Sequence, residues 1–434
     1  MDVEIHSMQR ALADARRRYV EANPASQKAY EEATGALPGG NTRSTLYFSP
    51  FPLTMASGVG CRMTDLDGHS YLDLLGEYTA GLYGHNHPVI RQAIDAALDG
   101  GWNFGAHGMC EAALAQLLCD RFPSVELVRF TNSGTEANLL ALATAVLHTG
   151  RRSVLVFDGA YHGSLLSFSG GGIPINVPHR WLVATYNDIP STERLIGEHA
   201  GDLAAILVEP MLGSGGCVPA DPAFLTLLRR GADDTGAVLI FDEVMTSRMS
   251  VGGMQHRLGI SPDLTTLGKY LGGGMTFGAF GGRRELMSRY DPRDPDSVPH
   301  AGTFNNNVLS MAAGYAGLSR LFPAEASDAL FRRGERLREE LNDLCAEAGV
   351  RMRWTGMGSL LTAHFQTGPI RAARDIRPEA ELRELFHLDM LERGCYLARR
   401  GMVALSLEIG DGECRSFCSA VADFLARRRT LFTA

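Results

Sequence analysis

Two neighbouring stretches near the middle of the chain constrain its fold more than any other part of the sequence. The first, residues 237–246, is an apolar run that ends in Asp242, which is typical of a parallel strand buried on both faces. A carboxylate at the end of such a strand lies at the sheet edge where α/β proteins bind ligands. The second, residues 264–274, places Lys269 between a short apolar run and a cluster of glycines. A buried aspartate and a lysine with space around it suit pyridoxal phosphate (PLP), because the lysine can form a Schiff base and the aspartate can keep the pyridine nitrogen protonated.

Composition and charge indicate an enzyme rather than a membrane or nucleic-acid-binding protein. The 434 residues can bury a large core, and their number predicts two or three domains. The net charge of −8 disfavours nucleic acid and anionic membranes as partners. The sequence shows no export signal and no apolar run of about 18 residues. The eight cysteines form no C-x-x-C pair, which favours a reducing compartment and gives no metal site. We therefore expect a cytoplasmic protein.

Predicted strands and helices alternate between about residues 122 and 282. This is the βαβ pattern of a mostly parallel sheet covered by helices on both faces. The predicted strands are residues 127–130, 153–157, 181–184, 204–208, 238–241, 264–267 and 278–281. The pattern then changes to a smaller α+β unit, with helices predicted over 324–348, 379–393 and 414–427 and strands over 358–365 and 403–407.

The N-terminal region differs from the alternating part of the chain. Apolar residues at helical spacing predict two helices over residues 5–34, separated at Asn23 and Pro24. Short strands follow between residues 47 and 73, with a hairpin signal at residues 65–68. We expect three regions. The expected bounds are residues 1–70 for an N-terminal segment with a substrate entry loop, residues 71–311 for a large PLP-binding domain and residues 312–434 for a C-terminal small domain.

A predicted helix start forms a candidate anion site. Ser133, Gly134 and Thr135 follow a strand and open a helix. Free N–H groups, the helix dipole and two hydroxyl groups can bind a phosphate there without a lysine. The spacing of Ser133 and Glu136 also fits an ordinary capping box. The two interpretations are compatible.

Two further strand ends carry polar or aromatic groups. Tyr161, between glycines in residues 159–163, can lay its ring against a flat cofactor, although an isolated tyrosine there is more often part of a core. Glu209 ends another strand. Convergence of several strand ends on one edge favours a site over separate structural roles. His85 and His87 lie close together, but no third ligand follows, so we interpret them as a loop before the helix over residues 89–98.

Taken together, these motifs resemble those of the class III (ω-type) aminotransferases of PLP fold type I. The resemblance covers nearly the whole chain and rests on residues 132–137, 160–163, 208–210, 241–244 and 268–269. It implies an α/β fold in which a large domain holds a mostly parallel sheet between helices and a smaller α+β domain is built from both termini, so that the N-terminal segment is part of the small domain. It also implies a homodimer with shared active sites.

The resemblance assigns a role to each candidate residue. Lys269 would be the Schiff-base lysine and Asp242 the partner of the pyridine nitrogen. The other residues implied to contact the cofactor are Ser133, Gly134 and Thr135 at the phosphate, Tyr161 and Val244 on the two ring faces, Glu209, and Thr303, which would reach the phosphate of the neighbouring subunit.

Arginines separate two branches of this family. Arg43 lies in a loop similar to those of both glutamate-1-semialdehyde aminomutases and β-phenylalanine aminotransferases, where an arginine binds the substrate carboxylate. Arg400 is similar to an arginine with which the second branch binds a 2-oxo acid acceptor, although the adjacent Arg399 leaves open which of the two faces the site. Residues 46–54, 246–248 and 302–307 also resemble the second branch. Tyr47 and Phe51 could line an apolar substrate pocket or belong to the core.

We therefore expect a transaminase that moves the amino group of a β-amino acid with an aromatic side chain to 2-oxoglutarate or pyruvate. Lys269 would act as general acid and base, and both substrates would be small molecules. Three alternatives stay open at this stage. They are a glutamate-1-semialdehyde-type aminomutase, a biosynthetic aminotransferase acting on a β-keto acyl chain, and a PLP-binding regulator that has lost its chemistry.

Overall fold

The structure is a computed structural model that describes residues 2–433, with side chains from His6 onward. Its centre is a seven-stranded sheet with the order β1–β7–β6–β5–β4–β2–β3. Only β7 runs antiparallel to its neighbours. The strands are β1 (Leu127–Thr131), β2 (Ser153–Phe157), β3 (Arg180–Ala184), β4 (Leu203–Val208), β5 (Val238–Asp242), β6 (Leu264–Gly268) and β7 (Gly278–Gly282). All seven predicted strands are confirmed to within one residue at each end.

The apolar run of β5 is long because both faces of this strand are covered. Val238 and Ile240 pack in one core cluster with residues of the helix Gly134–Thr149. Leu239 and Phe241 point to the opposite face and pack with residues of the helix Pro222–Thr235. Side chains of a strand alternate between its two faces, so a strand covered on both sides loses the polar alternation of a half-exposed strand.

Helices form the outer layers of the molecule and connect its strands. The predicted break between the two N-terminal helices at Asn23 and Pro24 is confirmed. The helices are Asp2–Ala22, Pro24–Thr34, Pro88–Gly100, Met109–Arg121, Gly134–Thr149, Ile189–Glu198, Pro222–Thr235, Gly253–Leu258, Arg284–Met287, Val308–Ala316, Ala324–Glu347, Ala380–Glu392 and Asp411–Arg428. Gly76–Thr79 is a tight turn in which Glu77 and Tyr78 adopt left-handed backbone angles. None of the helices in residues 2–433 is long and apolar enough to cross a membrane.

Both termini contribute to the smaller α+β part. Met55–Val59, Arg62–Asp65 and Ser70–Asp73 form an antiparallel sheet, confirming the hairpin, and the C-terminal strand Cys395–Tyr396 adds to it in parallel. This pairing joins the beginning of the chain to its end, as the fold class predicts. The boundaries at residues 70 and 311 stay a prediction. The two-stranded ribbon Met211–Leu212 and Val218–Pro219 lies apart from these sheets.

Two predicted strands differ from the structure in a second small sheet. It consists of Arg353–Met357, Leu360–His364 and Met402–Ala404. The strand predicted over 358–365 is shorter, and its hairpin partner Arg353–Met357 was missed. The strand predicted over 403–407 ends at Ala404, because the N–H groups of Leu405 and Leu407 donate to carbonyls of loop residues Ser359 and Leu82. Leu405 and Leu407 are apolar like strand residues, but their backbone hydrogen bonds go to loop carbonyls, so they extend no strand.

Candidate active site

Lys269 follows β6 and lies at the carboxyl end of the sheet. Its backbone adopts a left-handed φ of 58°, a conformation that costs free energy for any residue with a Cβ atom and is concentrated at functional sites. Its Nζ atom donates a hydrogen bond of 2.6 Å to the backbone carbonyl of Tyr78. Burial above all lowers the pKa of Lys269 to about 8, with the positive charges of Arg400 and Arg43 contributing to this fall and Asp242 opposing it. The lysine is therefore poised to lose its proton near neutral pH.

Asp242 ends β5 and is fixed by three N–H groups. Its Oδ2 atom lies 2.8 Å from His162 Nδ1 and accepts a hydrogen bond of 2.9 Å from Asn138 Nδ2. Its Oδ1 atom accepts one from the backbone of Val244 at 3.0 Å. Asn138 Oδ1 in turn accepts from the Thr266 hydroxyl at 2.7 Å. This buried network fixes the orientation of the Asp242 carboxylate at the end of β5.

Glu209 ends β4 and holds the loop that carries Tyr161. Its two carboxylate oxygens accept from the backbone N–H groups of Tyr161 at 3.0 Å and Gly213 at 2.9 Å. Burial raises the pKa of Glu209 to about 7, and the charge of Asp242 adds to this effect while His162 opposes it. The ring of Tyr161 is 45% exposed and belongs to none of the apolar core clusters. Glu209 therefore sets the position of an accessible aromatic ring.

The predicted anion site is the first turn of a 16-residue helix. Ser133 Oγ caps this helix by accepting from Glu136 N at 3.2 Å, and the Glu136 carboxylate accepts from Asn132 N at 2.9 Å. Half of the predicted capping box is therefore present, since the carboxylate reaches the residue before the cap. The N–H groups of Gly134 and Thr135 begin the helix and have no carbonyl within it to bind.

Close contacts require glycine on both sides of this turn. A Cβ atom on Gly134 would lie 2.8 Å from a methyl group of Val244, and one on Gly163 would lie 2.2 Å from the hydroxyl of Thr135. The loop after β5 and the loop after β2 therefore both press against the helix start. This packing brings Val244 and Thr135 to the same place as Asp242.

Arg43 and Arg400 meet at one tyrosine ring. Their guanidinium carbons lie 5.4 and 5.3 Å from the ring centroid of Tyr78, within the range of cation–π contacts. Arg399 instead pairs with Glu384 at 3.5 Å. Arg400 therefore contacts the Tyr78 ring and lies close enough to Lys269 to act on its charge, whereas Arg399 lines the same cavity but pairs with Glu384.

Three further residues named from the sequence differ in where they lie. Phe51 and Tyr47 could each have lined a pocket or belonged to the core: Phe51 is 3% exposed and packs on Tyr19 in the core, whereas Tyr47 is 43% exposed and lines a cavity with Tyr78. Thr303 is exposed in a loop whose Asn305 side chain accepts from Asn132. Its contact with a neighbouring subunit stays a prediction.

Sequence reasoning missed three residues of the site. His162 lies inside the motif of residues 160–163, and Asn138 directly follows the motif of residues 132–137. The polar character of both was the signal that could have revealed them. Tyr78 gave no signal, because it acts through a backbone carbonyl and through a ring whose neighbours come from distant segments.

The arrangement fits PLP. A buried lysine with a lowered pKa, a carboxylate fixed by N–H donors and the start of a helix with free N–H groups converge on one sheet edge. These groups match the aldehyde, the pyridine nitrogen and the phosphate of that cofactor.

Comparison with known proteins identifies the family. A family model described as class-III aminotransferase matches residues 47–408. The chain is a class III aminotransferase. Over 420 residues this aminotransferase is 50% identical to β-phenylalanine transaminase of Variovorax paradoxus, with 96% of each chain covered. A solved structure of a β-phenylalanine aminotransferase from V. paradoxus has a TM-score of 0.97 at 49% identity and covers 98% of this chain and 99% of that chain.

A second kind of relative lies further away. The aminotransferase is 38% identical over 392 residues to glutamate-1-semialdehyde 2,1-aminomutase of Desulfitobacterium hafniense, covering 86% of this chain and 91% of the relative. The family resemblance predicted from the motifs and the fold type I architecture are confirmed, and the enzyme uses PLP.

Proposed function

We propose that this aminotransferase moves the amino group of a β-amino acid with an aromatic side chain to 2-oxoglutarate or pyruvate. The observation that carries the proposal is the pair of guanidinium groups on the Tyr78 ring, next to the carbonyl that binds Lys269. A transaminase must bind two different carboxylate substrates in one site, and two arginines meet that need. The similarity to β-phenylalanine transaminase supports the choice of donor.

The geometry of the sheet edge supports the cofactor-binding roles that we propose for its residues. When bound, PLP supplies an electron sink that stabilises negative charge on the amine-bearing carbon of the substrate. Asp242 would bind the pyridine nitrogen, and Glu209 would hold the Tyr161 loop. The phosphate would be bound by Ser133, Gly134 and Thr135. Tyr161 and Val244 would pack on the two faces of the ring. Thr303 would complete the phosphate site of a partner subunit in a homodimer.

Lys269 would carry the proton. With a pKa of about 8, its Nζ atom has a substantial neutral fraction near neutral pH and can remove a proton from the amine-bearing carbon of the donor. The Tyr78 carbonyl orients Nζ by accepting its hydrogen bond. Within the same half-reaction Nζ would pass this proton to the C4′ carbon of the cofactor, and in the acceptor half it would move a proton in the opposite direction, onto the carbon that receives the amine.

Arg43 would bind the carboxylate of the donor, and Arg400 would serve the acceptor. Both guanidinium groups lie within cation–π distance of the Tyr78 ring. A cavity of about 270 Å³ lined by Tyr47, Tyr78 and Arg400 leaves room for an aromatic side chain. We expect the donor and the acceptor to be small molecules and the enzyme to act in the cytoplasm.

The similarity to glutamate-1-semialdehyde aminomutase supports a second candidate, an isomerase that needs no external acceptor. A half-reaction separates the two. The PLP form is mixed with β-phenylalanine without a 2-oxo acid, and the cofactor absorbance is followed. We expect conversion to the aminated cofactor, reversed by 2-oxoglutarate. Turnover of a semialdehyde substrate alone, with no response to β-phenylalanine, would favour the isomerase.

Variants test the residue roles. Lys269→Ala should abolish turnover, and Arg400→Ala should weaken the use of 2-oxoglutarate far more than donor binding. The chain has only two lysines, Lys28 and Lys269. Borohydride reduction of the PLP form followed by peptide mapping should therefore label Lys269 in the wild type and equally in Lys28→Ala. Label on Lys28, or an unchanged acceptor preference in Arg400→Ala, would contradict these roles.

A further inference from the structure

A second arginine stands beside Arg400 and has no part in the proposed function so far. Arg383, on the helix Ala380–Glu392, lines a cavity of about 240 Å³ together with Arg400, Tyr161 and His364. Arg383 and Arg400 also line the adjacent cavity of about 270 Å³ that Tyr78 borders. The two guanidinium groups thus lie where the cofactor side and the Tyr78 side of the site meet.

Arg383 has spare hydrogen-bonding capacity. Its Nη2 atom donates to the backbone carbonyl of Arg377 at 3.1 Å. Its Nε atom is buried and has no hydrogen-bond partner within residues 6–433. The nearest acidic influence is Glu379, whose carboxylate already pairs with Arg351 at 2.8 Å. The half-buried Arg383 guanidinium lines the cavity and makes one hydrogen bond to a backbone carbonyl, so its charge is available to an anion bound there.

The neighbouring histidine adds no charge of its own. Burial lowers the pKa of His364 to about 4, and the positive charge of Arg383 lowers it further. His364 is therefore neutral at working pH, so the charge that lines this cavity comes from the two arginines. Arg400 is itself weakly held, because its Nη2 atom donates to the soft sulfur acceptor of Met402 and its Nε atom is buried without a partner in the described chain.

We propose that Arg383 and Arg400 together bind the distal carboxylate of a dicarboxylic 2-oxo acid, so that Arg383 sets the preference for 2-oxoglutarate over pyruvate. This inference rests on the proposed function, in which Arg400 serves the acceptor. A carboxylate can accept charge-assisted bonds from two guanidinium groups at once. Pyruvate lacks a second carboxylate and gains nothing from Arg383.

The test compares acceptors in Arg383→Gln. We expect kcat/KM for 2-oxoglutarate to fall at least tenfold, through KM rather than kcat, while kcat/KM for pyruvate stays within twofold of wild type. Arg383→Lys should restore part of the loss because it keeps the charge. Arg377→Gln is the matched control, since this exposed arginine belongs to the same segment and meets Arg383 only through its backbone carbonyl. It should leave both acceptors unchanged.

A binding measurement needs neither donor nor turnover. Glutarate, an unreactive dicarboxylate, and butyrate, its monocarboxylate counterpart, are titrated into the PLP form while the cofactor absorbance is followed. Glutarate should bind at least tenfold more weakly to Arg383→Gln than to wild type, with butyrate unaffected. An equal loss of affinity for glutarate and butyrate, or of kcat/KM for both acceptors, would show that Arg383 has a structural role and would overturn the proposal. Dissociation constants and KM values that do not change in Arg383→Gln would overturn it as well. If wild type ignores β-phenylalanine but shows this difference for glutarate, the donor assignment fails and the role of Arg383 stands.

Discussion

Replacing Lys269 by methionine should stabilise the cofactor-free enzyme at neutral pH and not at high pH. Lys269 is enclosed beside Arg400 and Arg43, and its pKa falls from 10.5 to about 8 in the fold. Below pH 8 Lys269 is protonated in both the folded and the unfolded chain, so burying its positive charge lowers the free energy of unfolding by the full amount. Between about pH 8 and 10.5 only the unfolded chain holds it, so the free energy of unfolding rises with pH.

The size of the effect follows from the pKa difference. A difference of about 2.5 units corresponds to roughly 3 kcal/mol at about 1.4 kcal/mol per unit. Part of the Lys269 side chain is accessible to solvent, so screening reduces the expected value to about 2 kcal/mol. Lys269→Met also loses the hydrogen bond to Tyr78 at every pH, about 1 kcal/mol. The change of the mutational effect with pH is therefore the diagnostic quantity.

Urea unfolding of PLP-free protein at fixed protein concentration, at pH 7 and pH 10, measures this change. The change in the free energy of unfolding that Lys269→Met causes should be about 2 kcal/mol more stabilising at pH 7 than at pH 10. Lys28→Met is the matched control, because Lys28 is the other lysine of the chain and its side chain is 78% exposed. It should show no such dependence on pH. A mutational effect of Lys269→Met that is equal at both pH values would refute the reasoning.

Two further predictions concern the groups that hold the site. Asn138→Ala leaves the buried Thr266 hydroxyl and one Asp242 oxygen short of a partner, so the free energy of unfolding should fall by about 2–4 kcal/mol in denaturant titrations. Adding Thr266→Val should recover part of this loss, because it removes the unpaired hydroxyl. A double variant with no recovery would contradict the hydrogen bond between Thr266 and Asn138. Arg248, buried and donating to the carbonyls of Thr79 and Leu405, joins the Tyr78 turn to the Arg400 segment. Arg248→Met should raise KM for both substrates, and steady-state kinetics with unchanged KM values would argue against it.

The central sheet could be predicted from the sequence because its information is local. Each parallel strand is buried on both faces and appears as an uninterrupted apolar run between turns. The strand Arg353–Met357 was missed because its alternating burial, with Trp354 inward and the flanking residues partly exposed, is weak over only five residues. The apolar residues after Ala404 resemble a strand but bind loop carbonyls instead.

The site was predictable to the extent that motifs sit at strand ends. Asp242 and Glu209 end apolar strands, Lys269 follows another, and Ser133 begins a helix, and the ends of parallel strands meet at one edge whatever the details of packing. The partners of these residues were not predictable in the same way. Asn138 is 104 residues from Asp242, and Tyr78 is 191 residues from Lys269.

The sequence by itself determined the order of strands and helices, the residues at the strand ends and the chemistry those residues can perform. Only the tertiary structure showed which of two nearby residues makes a given contact: Arg400 rather than Arg399 lies over the Tyr78 ring, and Tyr47 rather than Phe51 lines the cavity. Consecutive side chains point in different directions, and which direction meets the site depends on segments hundreds of residues away. A local sequence pattern can identify two candidate residues, but packing between distant segments determines which of them contacts the site.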